Sequence, residues 1–298
     1  MRLPDAARLW LSAGRPAVVV EVVETQGSAP REAGARMVVA HDAVAGTIGG
    51  GHLELQAIEL ARSMLANGEC GPVTKRYALG PALGQCCGGV VTLGYSRLDA
   101  AALAAWPPEP ALFTLQLYGA GHVGRAIVRL LETLPCRVQW IDERAQEFPE
   151  GWVSPSGPGR RVGVQGAAAF VRPSHIEAVC VDAVEAEVAE APPGAFFLVL
   201  THRHDLDLRI CEAILRRGDF AYLGLIGSKT KRSRFEHQLL RRGISSQTLA
   251  RMTCPIGIPG IEGKAPEIIA VAVVAQMVQR AGTLSREPAD TGLAAAGR

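Results

Sequence analysis

Apolar positions along this 298-residue chain form short continuous runs that alternate with helix-period stretches, most regularly in the second half. The run Leu112 to Tyr118 is followed by Val123, Ile127, Leu130 and Leu134, which share one helical face, and then by a second run, Val138 to Ile141. Strand Ala195 to Leu200, helix Leu206 to Arg217, strand Tyr222 to Ile226 and helix Lys229 to Arg242 continue the alternation. A last helix is predicted from about Pro266 to Arg280, with Pro266 suited to its first turn. Strands and helices taken in turn predict a parallel, doubly wound sheet. The first half reads differently. Ala17 to Glu24 and Val38 to Ala40 are β-rich, Leu53 to Ala66 has helical period, and Val90 to Tyr95 predicts a closing strand. Between the halves, Trp-Pro-Pro-Glu-Pro at 106–110 opposes both helix and central strand. The expected organisation is a small N-terminal α/β domain (1–98), a linker (99–111), a larger α/β domain (112–281) and a small, polar tail expected to be disordered (282–298).

The junction of the first strand and helix of the larger domain carries the sharpest motif, Gly119-Ala120-Gly121-His122-Val123-Gly124. Asp142 follows at the end of the second strand, eighteen residues after Gly124. In this context the first glycine allows a tight turn, the second admits a phosphate close to backbone, and the third lets helix and strand pack. The helix N-terminus adds free N–H groups and a positive dipole end. A Rossmann-type domain is therefore expected, although the fold alone does not fix the ligand.

Charge and composition narrow the choice of partners. Lys and Arg number 31 against 29 Asp and Glu, for a net charge of +2, which argues against bulk electrostatic binding to nucleic acid or a membrane surface. No uninterrupted apolar run approaches the ~18 residues of a membrane span, and the start lacks a signal-peptide pattern. Seven cysteines without framework spacing suit a reducing cytosol. A cytoplasmic location is the expectation.

Further constellations could carry chemistry. Cys86 and Cys87 lie between Gly84 and Gly88-Gly89. Adjacent Cα atoms about 3.8 Å apart make a disulfide between them strained, so two free thiols beside flexible backbone are expected. Soft thiolates suit metals or redox chemistry; the plain alternative is two small buried groups. The other cysteines are isolated in sequence and read as core or incidental. Gly49-Gly50-Gly51 precedes a helix and could offer N–H groups to an oxyanion, with His52 and Glu54 in its first turn and Arg31 as a phosphate clamp or ion-pair partner. A turn needing positive φ is the alternative. His202, His204 and Asp205 follow a strand, where ligand contact, metal ligation or a helix start capped by Asp205 are all open. Ser228, Lys229, Lys231 and Arg232 open a helix, and cations there oppose its dipole unless an anion or acidic partner is near. The loop Cys254 to Gly260 either closes over a ligand or merely connects elements.

The ordered set of motifs resembles the XdhC/CoxI family of xanthine dehydrogenase accessory proteins. The matching segments are 27–31, 46–54, 83–89, 118–124, 201–207, 224–229 and 254–257, spanning roughly residues 15–280, while 260–264 matches only approximately. The resemblance implies a non-enzymatic chaperone that binds molybdenum cofactor, shields it, and delivers it to the molybdenum-binding subunit of apo xanthine dehydrogenase or a related hydroxylase. It also implies that a cysteine desulfurase supplies the terminal sulfido ligand, and a homodimer is the expected state. Cys86 and Cys87 match the family's paired cysteines and are expected to contact molybdenum. Gly119, Gly121, His122, Gly124, Asp142, His202, His204, Ser228, Lys229, Arg31 and His52 complete the expected cofactor site.

Two competing functions follow from the same residues. An NAD(P)-dependent oxidoreductase would use Asp142 on the adenosine ribose, His202 or His204 as acid/base, and Lys229 as substrate anchor. It would leave Cys86 and Cys87 without a task. A protein-binding scaffold with an empty Rossmann pocket would hold no small molecule.

Overall fold

The computed structural model describes residues 2–69, 71–79, 88–153 and 173–286. The chain divides into two compact units, Met1–Pro108 and Glu109–Arg298.

In the first unit the helix α1 (Leu3–Ser12) precedes strands β1 (Ala17–Gln26), β2 (Arg36–Ala40) and β3 (Val44–Gly46). Helix α2 (Gly51–Asn67), strands β4 (Val73–Ala78) and β5 (Val90–Arg97), and helix α3 (Ala100–Ala104) follow. The described strands form an antiparallel sheet in the order β3-β2-β1-β5-β4. Strand periodicity divides β1 between two cores. Val18, Val20 and Val22 pack with Leu53, Ala57 and Ala61 of α2. Ala17 and Val19 face Ala7 and Trp10 of α1. Burial on both faces accounts for the unbroken apolar start of β1. The stretch expected as a linker is partly structured: Asp99 caps α3 by accepting from the Ala102 N–H at 2.7 Å, and Leu103 and Trp106 pack on the α1 side.

The second unit contains β6 (Thr114–Tyr118), α4 (His122–Leu131), β7 (Arg137–Asp142), β8 (Ile176–Cys180), β9 (Phe196–Val199) and α5 (His204–Arg217). It continues with β10 (Tyr222–Leu225), α6 (Lys229–Arg241), α7 (Ser246–Ala250), β11 (Met252–Thr253) and α8 (Pro266–Leu284). The sheet order is β11-β10-β9-β6-β7-β8, and every described pairing is parallel. Numbered within the unit this is 3-2-1-4-5-6 read from β8, the doubly wound Rossmann order. Leu115, Leu117, Trp140 and Leu198 face the side covered by α4 and α8. Tyr118, Ile141, Phe197 and Leu223 face α5 and α6. By length and composition α8 is apolar enough to cross a membrane; here Ala270, Val273 and Met277 seat it in the core beside α4. It runs through Leu284, three residues into the stretch expected as tail, and residues 287–298 lie outside those described.

Candidate functional site

Strand β6 lies between β7 and β9, so the chain reverses its winding direction at the carboxyl ends of β6 and β9. Ligands of doubly wound sheets occupy the crevice at this switch point. The three glycines of the β6–α4 loop have separable reasons. A Cβ at Gly119 (φ 121°) would lie 2.4 Å from the Leu200 carbonyl oxygen, and one at Gly124 would lie 2.1 Å from that of Gly119. Both positions are closed by the chain's own backbone. Gly121 is different. Its φ of −67° suits any residue, and a Cβ there meets nothing within 4 Å. It is also the N-cap of α4 and supplies no side-chain cap to the helix N–H groups.

Asp142 braces this loop. Its carboxylate is 4% exposed and accepts from the Ala120 N–H at 2.7 Å and from Arg144 through its backbone N–H (2.9 Å), Nε (3.0 Å) and a terminal nitrogen (2.9 Å). Burial pushes its pKa up, but the Arg144 guanidinium and the loop N–H outweigh that and hold it below the ordinary value. A carboxylate offers about four acceptor places, and these four donors fill them. Trp140 Nε1 donates to the Gly119 carbonyl at 3.0 Å and fixes the loop from below.

The loops after β9 and β10 are joined by a buried ion pair. Asp207 (0% exposed) accepts from the Thr201 N–H (3.0 Å) and hydroxyl (2.7 Å), and its second oxygen takes Lys231 Nζ at 2.6 Å. Lys231 also donates to the Ile226 carbonyl at 2.8 Å. Its side chain occupies the space beside Gly227, where a Cβ would come within 2.6 Å of it. Lys231 is thus a brace, and the anion that its position in the helix called for is internal. Arg232 likewise pairs with Glu236 at 2.7 Å, whereas Lys229 is exposed with no ion-pair partner among the described residues. Ser228 caps α6 by accepting from the Lys231 N–H.

Asp205 does not cap α5. The helix starts at His204 with Arg203 as its N-cap, and Asp205 lies in the first turn, paired with Arg203 at 2.6 Å. That guanidinium holds the Asp205 carboxyl down at about 2. His202 Nε2 and Arg203 both lie 3.6 Å from Glu143, which follows β7. His204 Nδ1 accepts from Arg234 at 3.0 Å. Among the described residues no group of three or more His, Cys, Asp or Glu side chains is placed to hold a metal ion.

In the first unit three of the sequence motifs converge. A Cβ at Gly49 would lie 2.4 Å from Pro30 Cβ and 3.4 Å from the Arg31 side chain, and one at Gly89 would lie 2.3 Å from the Ser28 carbonyl oxygen. Segment 27–31 therefore packs its Pro30 and Arg31 side chains on Gly49 and its backbone on Gly89. The glycine turn does gather N–H groups, but on an internal anion. Glu54 Oε2 accepts from the Thr47 hydroxyl (2.5 Å) and the N–H groups of Ile48 (3.0 Å) and Gly50 (3.1 Å). Burial opposes this charge, yet those donors keep the Glu54 pKa below its ordinary value. His52 and Arg31 are exposed. Cys86 and Cys87 lie outside the described residues; Gly88, the next in the chain, is described.

Residues 10–78 match the XdhC and CoxI family, and residues 115–277 match the XdhC Rossmann domain. The chain belongs to the XdhC and CoxI family. The uncharacterised protein YqeB of Escherichia coli K12 is 28% identical over 269 residues, which cover 89% of this chain and 43% of YqeB. The chain therefore spans less than half the length of that relative. A crystal structure described as a xanthine dehydrogenase from Bacillus halodurans superposes with a TM-score of 0.66 at 18% identity, covering 98% of each chain, a likeness of fold.

The expected residues Gly119, Gly121, His122, Gly124 and Asp142 lie at the carboxyl ends of β6 and β7, and His202, His204, Ser228 and Lys229 follow the carboxyl ends of β9 and β10. Arg31 and His52 belong to the separate N-terminal constellation. Sequence reasoning missed Arg144, Glu143 and the Asp207–Lys231 brace, because partners 24 residues apart leave no periodic signal. Arg144, two residues after a strand-terminal acid, was the one detectable in principle.

Proposed function

We propose that this protein is a carrier in xanthine dehydrogenase maturation: it binds molybdenum cofactor, shields it during sulfuration, and passes it to the molybdenum-binding subunit of the apoenzyme. Family membership supports the accessory role. The observation that carries the ligand assignment is Gly121, a glycine demanded neither by its backbone angles nor by any neighbour within 4 Å, at an uncapped helix N-terminus. Such a position keeps space clear for an incoming phosphate, and the cofactor's pterin carries one. The α4 N–H groups, with His122, would hold that phosphate, and Lys229 and His202 supply positive or hydrogen-bonding groups at the adjacent strand ends. Cys86 and Cys87 are the proposed thiol contacts to the metal. The bound cofactor supplies a molybdenum centre with exchangeable oxo and sulfido positions; the chain's own residues bind and orient it and exclude water and oxygen.

The nicotinamide reading fares worse on the same geometry. Asp142 has no acceptor place left for ribose hydroxyls while Arg144 and Ala120 hold it. A cysteine desulfurase, the recipient subunit and a second copy of the chain are the proposed partners, in the cytoplasm. Reconstitution tests the role. Apo xanthine dehydrogenase given cofactor in air should gain activity only when the cofactor is presented on this protein after desulfurase treatment. Equal activation by free cofactor under the same conditions would overturn the carrier role.

A further inference from the structure

We propose that a second site, a cleft between the C-terminal half of α8 and the amino end of β10, binds a small organic anion carrying a carboxylate or phosphate on a small carbon body. The cleft is half open to solvent and holds about 610 Å³, within the roughly 300–1,000 Å³ common for small-molecule sites. Its position is independent of the switch-point crevice, since Tyr222 opens β10 whereas the crevice lies beyond the strands' carboxyl ends.

The composition of α8 points to the cleft first. After Glu267 this helix has four polar residues, Gln276, Gln279, Arg280 and Thr283, and all four line the cleft. Elsewhere the helix tolerates apolar residues even where they are exposed, as at Ile268, Val271 and Val278. Gln276 is accounted for within the fold, where its amide bonds Tyr222 and both backbone groups of Gly257, and the Thr283 hydroxyl donates to the Gln279 carbonyl; solvation does not explain why Gln279 and Arg280 stand beside them. Spacings of three, four and seven put them on one stripe.

The charge is one-sided as well. Arg251 and Arg280 line the cleft, no carboxylate among the described residues does, and neither arginine has an ion-pair partner among them. An anion seated between them would be attracted by both. Arg251 is held in place before any ligand arrives. It donates to the Gly218 carbonyl at 2.7 Å and to that of Phe220, and stacks on the Phe220 ring with its central carbon 3.9 Å from the centroid. Two of its five donors are thereby used and the others remain. The opposite wall is fixed by Gln276, which accepts from Tyr222 at 2.7 Å and from the Gly257 N–H at 3.0 Å. A pre-set cation, a second cation on the helix, the Gln279 amide and the half-buried side chain of Leu284 make a site for an anion on a small carbon body.

Titration of the full chain with phenyl phosphate and with benzoate by calorimetry tests this. Saturable one-to-one binding of at least one of them is expected, stronger than that of inorganic phosphate. Arg280→Gln should weaken it by about tenfold or more, the effect of losing one charged partner. Thr283→Val, a milder change on the same stripe, should weaken it less, and Gly121→Val in the crevice should leave it unchanged. The proposal fails if neither probe saturates, if Arg280→Gln of unchanged melting temperature binds as the parent does, or if Gly121→Val abolishes binding.

Discussion

Replacing Lys231 with Met should destabilise the second unit severely, although the side chain reaches no ligand. Asp207 is fully buried and Lys231 is 9% exposed, with their charges 2.6 Å apart. The variant leaves the carboxylate with the Thr201 N–H and hydroxyl on one oxygen and nothing on the other. Removing one partner of such a pair costs about 3–5 kcal/mol, chiefly the cost of a buried uncompensated charge. In a unit of this size each kcal/mol lowers Tm by roughly 2–4 °C. A fall of about 6–20 °C in a thermal melt followed by near-ultraviolet circular dichroism is therefore expected. Replacing both partners, Asp207→Leu with Lys231→Met, should recover most of the loss, because no charge is then stranded. A Lys231→Met variant within about 1 kcal/mol of the parent, or a double variant no better than the single ones, would refute the brace.

The glycine loop gives a paired prediction. Gly124→Ala places a methyl 2.1 Å from a carbonyl oxygen and should cost about 3 kcal/mol, the upper part of the usual overpacking range, whereas Gly121→Ala should change the melt by less than about 1 kcal/mol yet weaken binding of the cofactor. Glu54→Gln should cost the first unit about 1 kcal/mol at neutral pH. Because the Glu54 pKa is lowered on folding, its contribution is present above the ordinary value of 4.5 and is lost as pH falls through the lower folded value, so parent and variant should converge in acid denaturation below about pH 4.5. Asp142→Asn should loosen the Gly119–Gly121 loop, read as faster amide exchange at Ala120, whose N–H the carboxylate now accepts.

Four strands of the parallel sheet were legible because they are buried on both faces and read as apolar runs, from Leu115 in β6 to Leu225 in β10, whereas the edge strand β8, interrupted by Glu177, went unread. Elements lacking that contrast escaped. Only Tyr77 of β4 is buried, so the strand reads as polar, and β11 is two residues long. Helix α1 carries its buried positions at Asp5, Ala6, Ala7 and Trp10, a pattern hidden by an acid and two small residues. The glycines of 119–124 were legible one by one: the turn at Gly119, the open space at Gly121 and the close packing at Gly124 follow the separate roles that the motif's spacing gives them. The acidic partner that Lys231 called for is Asp207, 24 residues away, a distance no local spacing encodes, and the N–H groups of the glycine turn, open to an outside oxyanion in the sequence, are taken up by the nearby Glu54.

The carrier reading stands or falls on what the protein holds when purified, without oxygen, from cells that make molybdenum cofactor. Molybdenum by mass spectrometry should equal pterin measured by fluorescence after oxidation, and both should fall in Cys86→Ala, Cys87→Ala and Gly121→Val variants that still fold. Protein free of both species, even after anaerobic incubation with released cofactor, would contradict it.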